Sequence, residues 1–141
     1  MSKNGFQKVS QTDRRMYGPR KLLVCGYSQA EQPFFLELLG GCGLGALPVV
    51  FVSEADAQST LKTLLGQPDR SGRERDSSLR RAVIMSGLSE RELHALMGGY
   101  RQTGFAAQLW ATLTPTSEAW TIHSLLEELD AERRAFQRRR T

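Results

Sequence analysis

Ala111-Thr-Leu-Thr-Pro-Thr-Ser-Glu-Ala-Trp-Thr-Ile-His-Ser-Leu-Leu-Glu-Glu-Leu129 joins an apolar strand, a polar elbow and an amphipathic helix within nineteen residues. Gln108 to Thr114 is rich in β-branched and aromatic residues and predicts a mostly buried strand. Pro115 disfavours helical geometry at Thr114, so the strand should end there, with Thr116 or Ser117 supplying the N-cap oxygen of the next helix. Ile122, Leu125, Leu126 and Leu129 recur at three- and four-residue spacing and give that helix one apolar stripe. Trp120 is expected in its first turn, either as an apolar plug over the sheet edge or as a stacking surface beside the elbow.

The same grammar occurs upstream. Lys21 to Gly26 is an apolar run of strand length, and Ser28 with Glu31 has the spacing of a capping box that opens a helix running to about Leu39. Gly40, Gly41, Gly43 and Gly45 stop it, Leu47 to Val52 forms the second strand, and Ser53-Glu-Ala starts a helix carrying Leu61, Leu64 and Leu65. After an irregular stretch, Ala82 to Met85 is a strand, Ser89 with Glu92 repeats the capping box, and the helix after it runs to about Arg101.

Two numerical offsets relate these segments. Shifted by 61, Gly26, Ser28, Glu31, Gly43 and Ala46 fall on Gly87, Ser89, Glu92, Gly104 and Ala107. Shifted by 64, Ser53-Glu-Ala55 falls on Ser117-Glu-Ala119, which reads as a three-residue insertion at Thr114-Pro-Thr116. The expectation is an α/β fold of two pseudo-symmetric β-α-β-α halves, residues 21–65 and 82–129, joined by a connector over 66–81. Each strand-helix-strand crossover makes its strands parallel. A twofold along the strands then gives a four-stranded, mainly parallel sheet ordered 2-1-3-4 with helices on both faces.

Charge separates the domain from its appendages. Residues 1–20, 66–81 and 133–141 together carry +11, leaving −7 on 21–65 and 82–132, although the whole chain is +4. Residues 21–132 are thus read as one domain between a polar N-terminal tail, 1–20, and a basic C-terminal tail, 133–141, both flexible. A sequence-specific nucleic-acid groove does not fit an acidic core, and the arginine-rich ends offer only non-specific phosphate contacts. With no long apolar run and no leader pattern, no membrane span is indicated, and a cytoplasmic location is the default. Cys25 and Cys42 stand apart without metal-ligand spacing, which fits a reducing compartment.

In a parallel sheet ordered 2-1-3-4, the strand order reverses between the first and third strands, and ligands sit beyond the carboxyl ends at that switch. The candidate ligand-binding residues are therefore Gly26, Tyr27 and Ser28 in one turn and Gly87 and Ser89 in the other, with Thr114, Thr116, Ser117 and Trp120 from the elbow. Helix N-termini at both turns would favour an anion. Neither turn is a dinucleotide or phosphate-loop motif, so no cofactor is specified. No metal or catalytic set is indicated either. Cys25 reads as a buried strand thiol, and His94 and His123 as helix-side residues.

Val83-Ile-Met-Ser-Gly-Leu-Ser-Glu-Arg-Glu-Leu93, Tyr100-Arg101, and Ala111-Thr-Leu-Thr-Pro-Thr-Ser117 with Trp120, Leu125 and Glu132-Arg133 resemble a bacterial family of small proteins, domain of unknown function 3783. The resemblance is close over 82–133 and loose over 21–65; Leu88 stands where that family commonly has an aromatic and Gln108 where it often has Pro. No activity is assigned to the family, so the resemblance implies no catalytic residue. Two functions stay open: a non-enzymatic binding or protein-interaction module, or a ligand-binding domain or small enzyme with an anionic small molecule at the Gly-x-Ser turns. A pocket lined by Tyr27, Ser28, Ser89 and Thr116 would mark the second; a filled switch region would mark the first. Among the partners open to the module is a second copy of itself, joined as a homodimer through an edge strand or helix face.

Overall fold

The computed structural model describes residues 13–140. The element order is β1 (Lys21–Cys25), α1 (Gln32–Gly41), β2 (Val49–Val52), α2 (Leu61–Leu65), β3 (Ala82–Ser86), α3 (Glu90–Gln102), β4 (Leu109–Thr112) and α4 (Ile122–Arg140). Short 3-10 turns, Glu54–Asp56 and Ser117–Ala119, lead into α2 and α4. The sheet order is β2-β1-β3-β4. Alternate strand residues feed two cores: Leu23, Val50, Ile84 and Leu109 pack with Leu61 and Ile122 under α2 and α4, while Leu22, Val49, Val83 and Met85 pack with Phe35 and Leu96 under α1 and α3.

The sheet is mixed, not parallel throughout. β1 pairs with β2 and β3 with β4 in parallel, but β1 and β3 are antiparallel, with Leu23 opposite Ile84. The connector is the physical reason. After α2 the chain is at the amino end of β1, where Lys21 Nζ donates to the carbonyls of Leu65 (2.9 Å) and Gln67 (2.6 Å). It then climbs the outer edge of β2: the Arg70 N–H donates to the Val49 carbonyl (2.6 Å) and the Phe51 N–H to the Ser71 carbonyl (2.8 Å). At the carboxyl end of β1 the Gly26 N–H donates to Ser77 Oγ (3.2 Å). The chain is thereby delivered to the far end of β1, so β3 has to run back.

Helix starts also differ from expectation. Pro33 lies in the first turn of α1, which begins at Gln32; Glu31 still closes half of the capping box, accepting from the Ser28 N–H (2.9 Å). α3 has its full box between Ser89 and Glu92. In the elbow the capping partner is Thr114, not Thr116: Thr114 Oγ1 accepts from the Ser117 N–H (2.9 Å) and the Thr114 N–H donates to Ser117 Oγ (3.0 Å). Ser53 and Asp56, 61 residues earlier, make the corresponding contact, the Ser53 N–H donating to Asp56 Oδ2 (3.0 Å). Trp120 lies in extended backbone before α4, 36% exposed, with its carbonyl accepting from the Leu61 N–H (3.0 Å). It precedes the first turn of α4.

The segments expected as tails make regular contacts where they are described. Residues 13–20 strap the carboxyl end of β3, with the Met16 N–H on the Leu88 carbonyl (2.8 Å) and the Gly87 N–H on the Tyr17 carbonyl (3.0 Å). Residues 1–12 of the expected N-terminal tail lie outside the described residues. The basic segment from Arg133 to Arg140 continues α4, as arginine's helix propensity and the favourable placing of cations at a helix C-terminus allow.

Candidate functional site

Because β1 and β3 are antiparallel, the two Gly-x-Ser turns lie at opposite ends of the sheet, roughly 20 Å apart at about 3.3 Å per residue. Each is filled by the chain entering the neighbouring strand. A Cβ on Gly26 (φ +84) would lie 2.5 Å from the Leu79 carbonyl oxygen, and one on Gly87 (φ +71) 2.5 Å from that of Gly18. Glycine is required at both for backbone freedom and for space.

Carboxylates of the chain hold the place an anion would take at the two turns. Glu31 accepts from the Ser28 N–H and pairs with Arg81 at 2.6 Å; Glu92 accepts from the Ser89 N–H (2.9 Å) and is bound through both oxygens by Arg20 (2.7 and 2.9 Å). The backbone amide of Ser28, followed by Arg81, holds the Glu31 carboxyl below its usual range, and Arg20 pulls that of Glu92 down to about 2. Arg20 and Arg81 are 61 residues apart, as are Glu31 and Glu92, a match of identical residues by which the sequence could have flagged both pairs.

The expected site residues therefore divide. Gly87, Ser89, Thr114, Thr116 and Ser117 belong to the carboxyl end of β3 and β4, and Gly26, Tyr27 and Ser28 to the other end. Trp120 lies with neither; its ring lines a shallow hollow with Ala119, Thr121, Ser124 and Glu128 on the α4 face. Tyr27 and Ser89 are both buried, at opposite ends of the sheet. Burial also raises the Cys25 thiol far above its ordinary pKa, which keeps it in the unreactive protonated form.

Tyr27 leads instead to a cleft that the sequence reading did not single out. The Arg81 guanidinium stacks over the Tyr27 ring at 4.2 Å from its centroid, and the Tyr27 hydroxyl donates to Gln108 Oε1 at 2.9 Å. Gln108 is 7% exposed, and its Nε2 is buried without a hydrogen-bond partner among the described residues. It forms part of a cleft of about 280 Å³ between α3 and β4, lined also by Met97, Tyr100, Arg101, Phe105, Ala107 and Trp110. Tyr100 packs edge-on to Trp110 at 5.8 Å, and Phe105, 52% exposed, meets Phe34 edge-on at 4.3 Å. Arg101 is the only charged residue of the lining.

The cleft adjoins the outer edge of β4. Leu109 and Leu113 donate inward to the Arg81 and Met85 carbonyls, so Trp110 and Thr112 turn their backbone groups outward. Among the described residues no backbone hydrogen bond reaches that edge from outside the sheet. Among the described residues, no group of three or more His, Cys, Asp or Glu could hold a metal, and no helix is long and apolar enough to cross a membrane.

No curated protein and no solved structure matches the chain. Residues 81–136, from the start of β3 to well into α4, match the family model of a domain of unknown function, DUF3783, and over that stretch the chain resembles that family.

Proposed function

We propose that the chain is a non-enzymatic protein-interaction module of two pseudo-symmetric halves, which takes a segment of a partner protein along the outer edge of β4 and into the cleft beside it. Support for the halves comes from one constant offset. The registers Leu22↔Val49 and Val83↔Trp110 differ by 61 in both members, and Leu23 pairs with Ile84, its own counterpart. Thr60 bridges Thr121, again 61 apart, and the Leu61 N–H to Trp120 carbonyl bond is answered by Ile122 N–H to Ser59 carbonyl.

The observation that carries the functional reading is the unequal treatment of two equivalent edges. The Val49 N–H and carbonyl and the Phe51 N–H in β2 are taken by the connector, whereas among the described residues no hydrogen bond reaches the corresponding groups of Trp110 and Thr112 in β4. Residues 108–114 contain no charge and no proline, the usual means of protecting an exposed edge. An open edge beside an aromatic cleft suits strand-edge recognition, in which main-chain bonds give affinity and a pocket gives specificity.

Thr112→Pro tests this. Proline removes only the outward N–H, and edge strands tolerate it there. A random peptide library selected on the full chain should yield binders that fail on a folded Thr112→Pro protein. Recovery of no binder, or of binders that hold equally to both proteins, refutes the reading.

A further inference from the structure

We infer that the β4 edge recognises a loop of the form Asp-Xaa-Xaa-Gly in a partner protein, an inference that rests on the interaction reading above. The template is the chain's own connector. Along β2 the Val49 N–H donates to Asp69 Oδ1 (2.8 Å), the Val49 carbonyl accepts from the Arg70 N–H (2.6 Å), and the Phe51 N–H donates to the Ser71 carbonyl (2.8 Å). Gly72 follows at φ +81, so close to the Phe51 carbonyl that no Cβ would fit. Arg70 has φ +72, so the segment is a turn laid against the edge and not a regular strand.

Adding 61 carries Val49 and Phe51 onto Trp110 and Thr112, whose registers with β3 repeat those of β2 with β1. The same three backbone groups therefore face outward on β4 in the same order. A segment meeting them needs a side-chain acceptor for the Trp110 N–H, a backbone N–H for the Trp110 carbonyl, a carbonyl for the Thr112 N–H, and then glycine. The second position favours Gly or Asn, which adopt positive φ readily. Charge agrees with the acidic first position, because the cleft beside this edge carries Arg101 and no carboxylate.

The two halves differ where this occupant would lie. After α2 the chain returns through residues 66–81 and covers β2; after the start of α4 it continues as helix to Arg140. Leu44 is buried at the position 61 residues before Phe105, whose ring is half exposed.

The test adds a synthetic peptide of the connector sequence Gln67 to Glu74 to the full-length protein and follows the backbone amides by NMR. Binding should shift Trp110 and Thr112. It should weaken at least tenfold when the peptide's aspartate becomes lysine or its glycine becomes valine. Arg101→Glu, which leaves the strand untouched, should weaken the parent peptide and relieve the penalty of the lysine variant.

No shift at millimolar peptide overturns the inference, as does a shift confined to Val49 and Phe51, which would be exchange with the resident connector. Concentration-dependent shifts of Trp110 without peptide would put a second copy on the edge, and shifts on deleting residues 2–12 would put the chain's own N-terminus there; either overturns it. If library binders need the Thr112 N–H but show neither acid nor glycine at this spacing, the motif fails while the interaction reading stands.

Discussion

Replacing Glu92 by Gln removes a charge and almost nothing else, because glutamine retains an oxygen for the Ser89 N–H and the volume of the side chain. The carboxylate is bound by both terminal nitrogens of Arg20, and that pairing, ahead of the Ser89 amide, lowers its pKa from 4.5 to about 2. At about 1.4 kcal/mol per pKa unit the displacement corresponds to about 3.5 kcal/mol. The side chains of Arg20 and Glu92 remain 29% and 25% exposed, so water screens the pair and about 1–2 kcal/mol is the realistic loss. For a chain of 141 residues that lowers Tm by about 3–7 °C at pH 7. The folded pKa lies below the unfolded one, so the contribution is complete above about pH 4.5 and vanishes as pH falls toward 2. Thermal melts of parent and Glu92→Gln from pH 7 to pH 2 should show a constant gap down to about pH 5 that then closes. A gap that persists at pH 2, or none at pH 7, refutes the reasoning. Glu31→Gln should show a smaller gap, since the Glu31 side chain is 45% exposed.

Ser86→Ala should melt at or above the parent, because the Ser86 hydroxyl is fully buried with no hydrogen-bond partner among the described residues. Trp120→Ala should cost roughly 1–2 kcal/mol and Ile122→Ala about 2–5 kcal/mol in chemical denaturation, since Ile122 is fully buried and Trp120 is not. Gly104→Ala should lose only about 1–2 kcal/mol for its positive φ, as nothing lies within 4 Å of the new Cβ, whereas Gly26→Ala must also displace the backbone at Leu79 and Arg81 and should lose clearly more.

Much of the architecture was legible because it depends on local spacing. The strand order followed from two parallel crossovers, and the Ser89-Glu92 box, two residues of the right kind three apart, located the start of α3. The antiparallel seam was not legible. It depends on where Asp69, Ser71 and Ser77 place their hydrogen bonds along β2 and beside Gly26, and polar, glycine-bearing residues of that kind read simply as a loop. The elbow was hard to read for a related reason: the identity of Ser-Glu-Ala suggested an offset of 64, whereas the similar contacts Ser53 N–H to Asp56 and Thr114 N–H to Ser117 lie 61 apart, between residues alike in chemistry but not in name. With the seam reversed, the two candidate turns separated, and the cleft at Gln108 and Trp110 arose from residues that share no motif.

The two ion pairs also differ in what they support. Arg20 holds Glu92 and touches the Gly87 carbonyl, so its work ends at the turn. Arg81 holds Glu31 and lies on the Tyr27 ring, and Tyr27 in turn anchors the amide of Gln108 beneath the cleft. The residue 61 positions after Tyr27 is Leu88, which has no such hydroxyl. Burial raises the Tyr27 phenol well above its ordinary pKa, so it stays protonated and remains a donor across the accessible pH range. Tyr27→Phe would leave the buried Gln108 amide with neither oxygen nor nitrogen partnered among the described residues, a loss of about 1–3 kcal/mol. It would also free Gln108 to turn and reshape the cleft floor. Tyr27→Phe should therefore lower both Tm and affinity for edge-binding peptides, while Glu92→Gln lowers Tm and leaves affinity within about twofold, because sites without shared partners act independently. Equal effects of the two substitutions on peptide affinity would show that the cleft is not held through Tyr27, and unchanged melting of Tyr27→Phe would show that Gln108 needs no anchor.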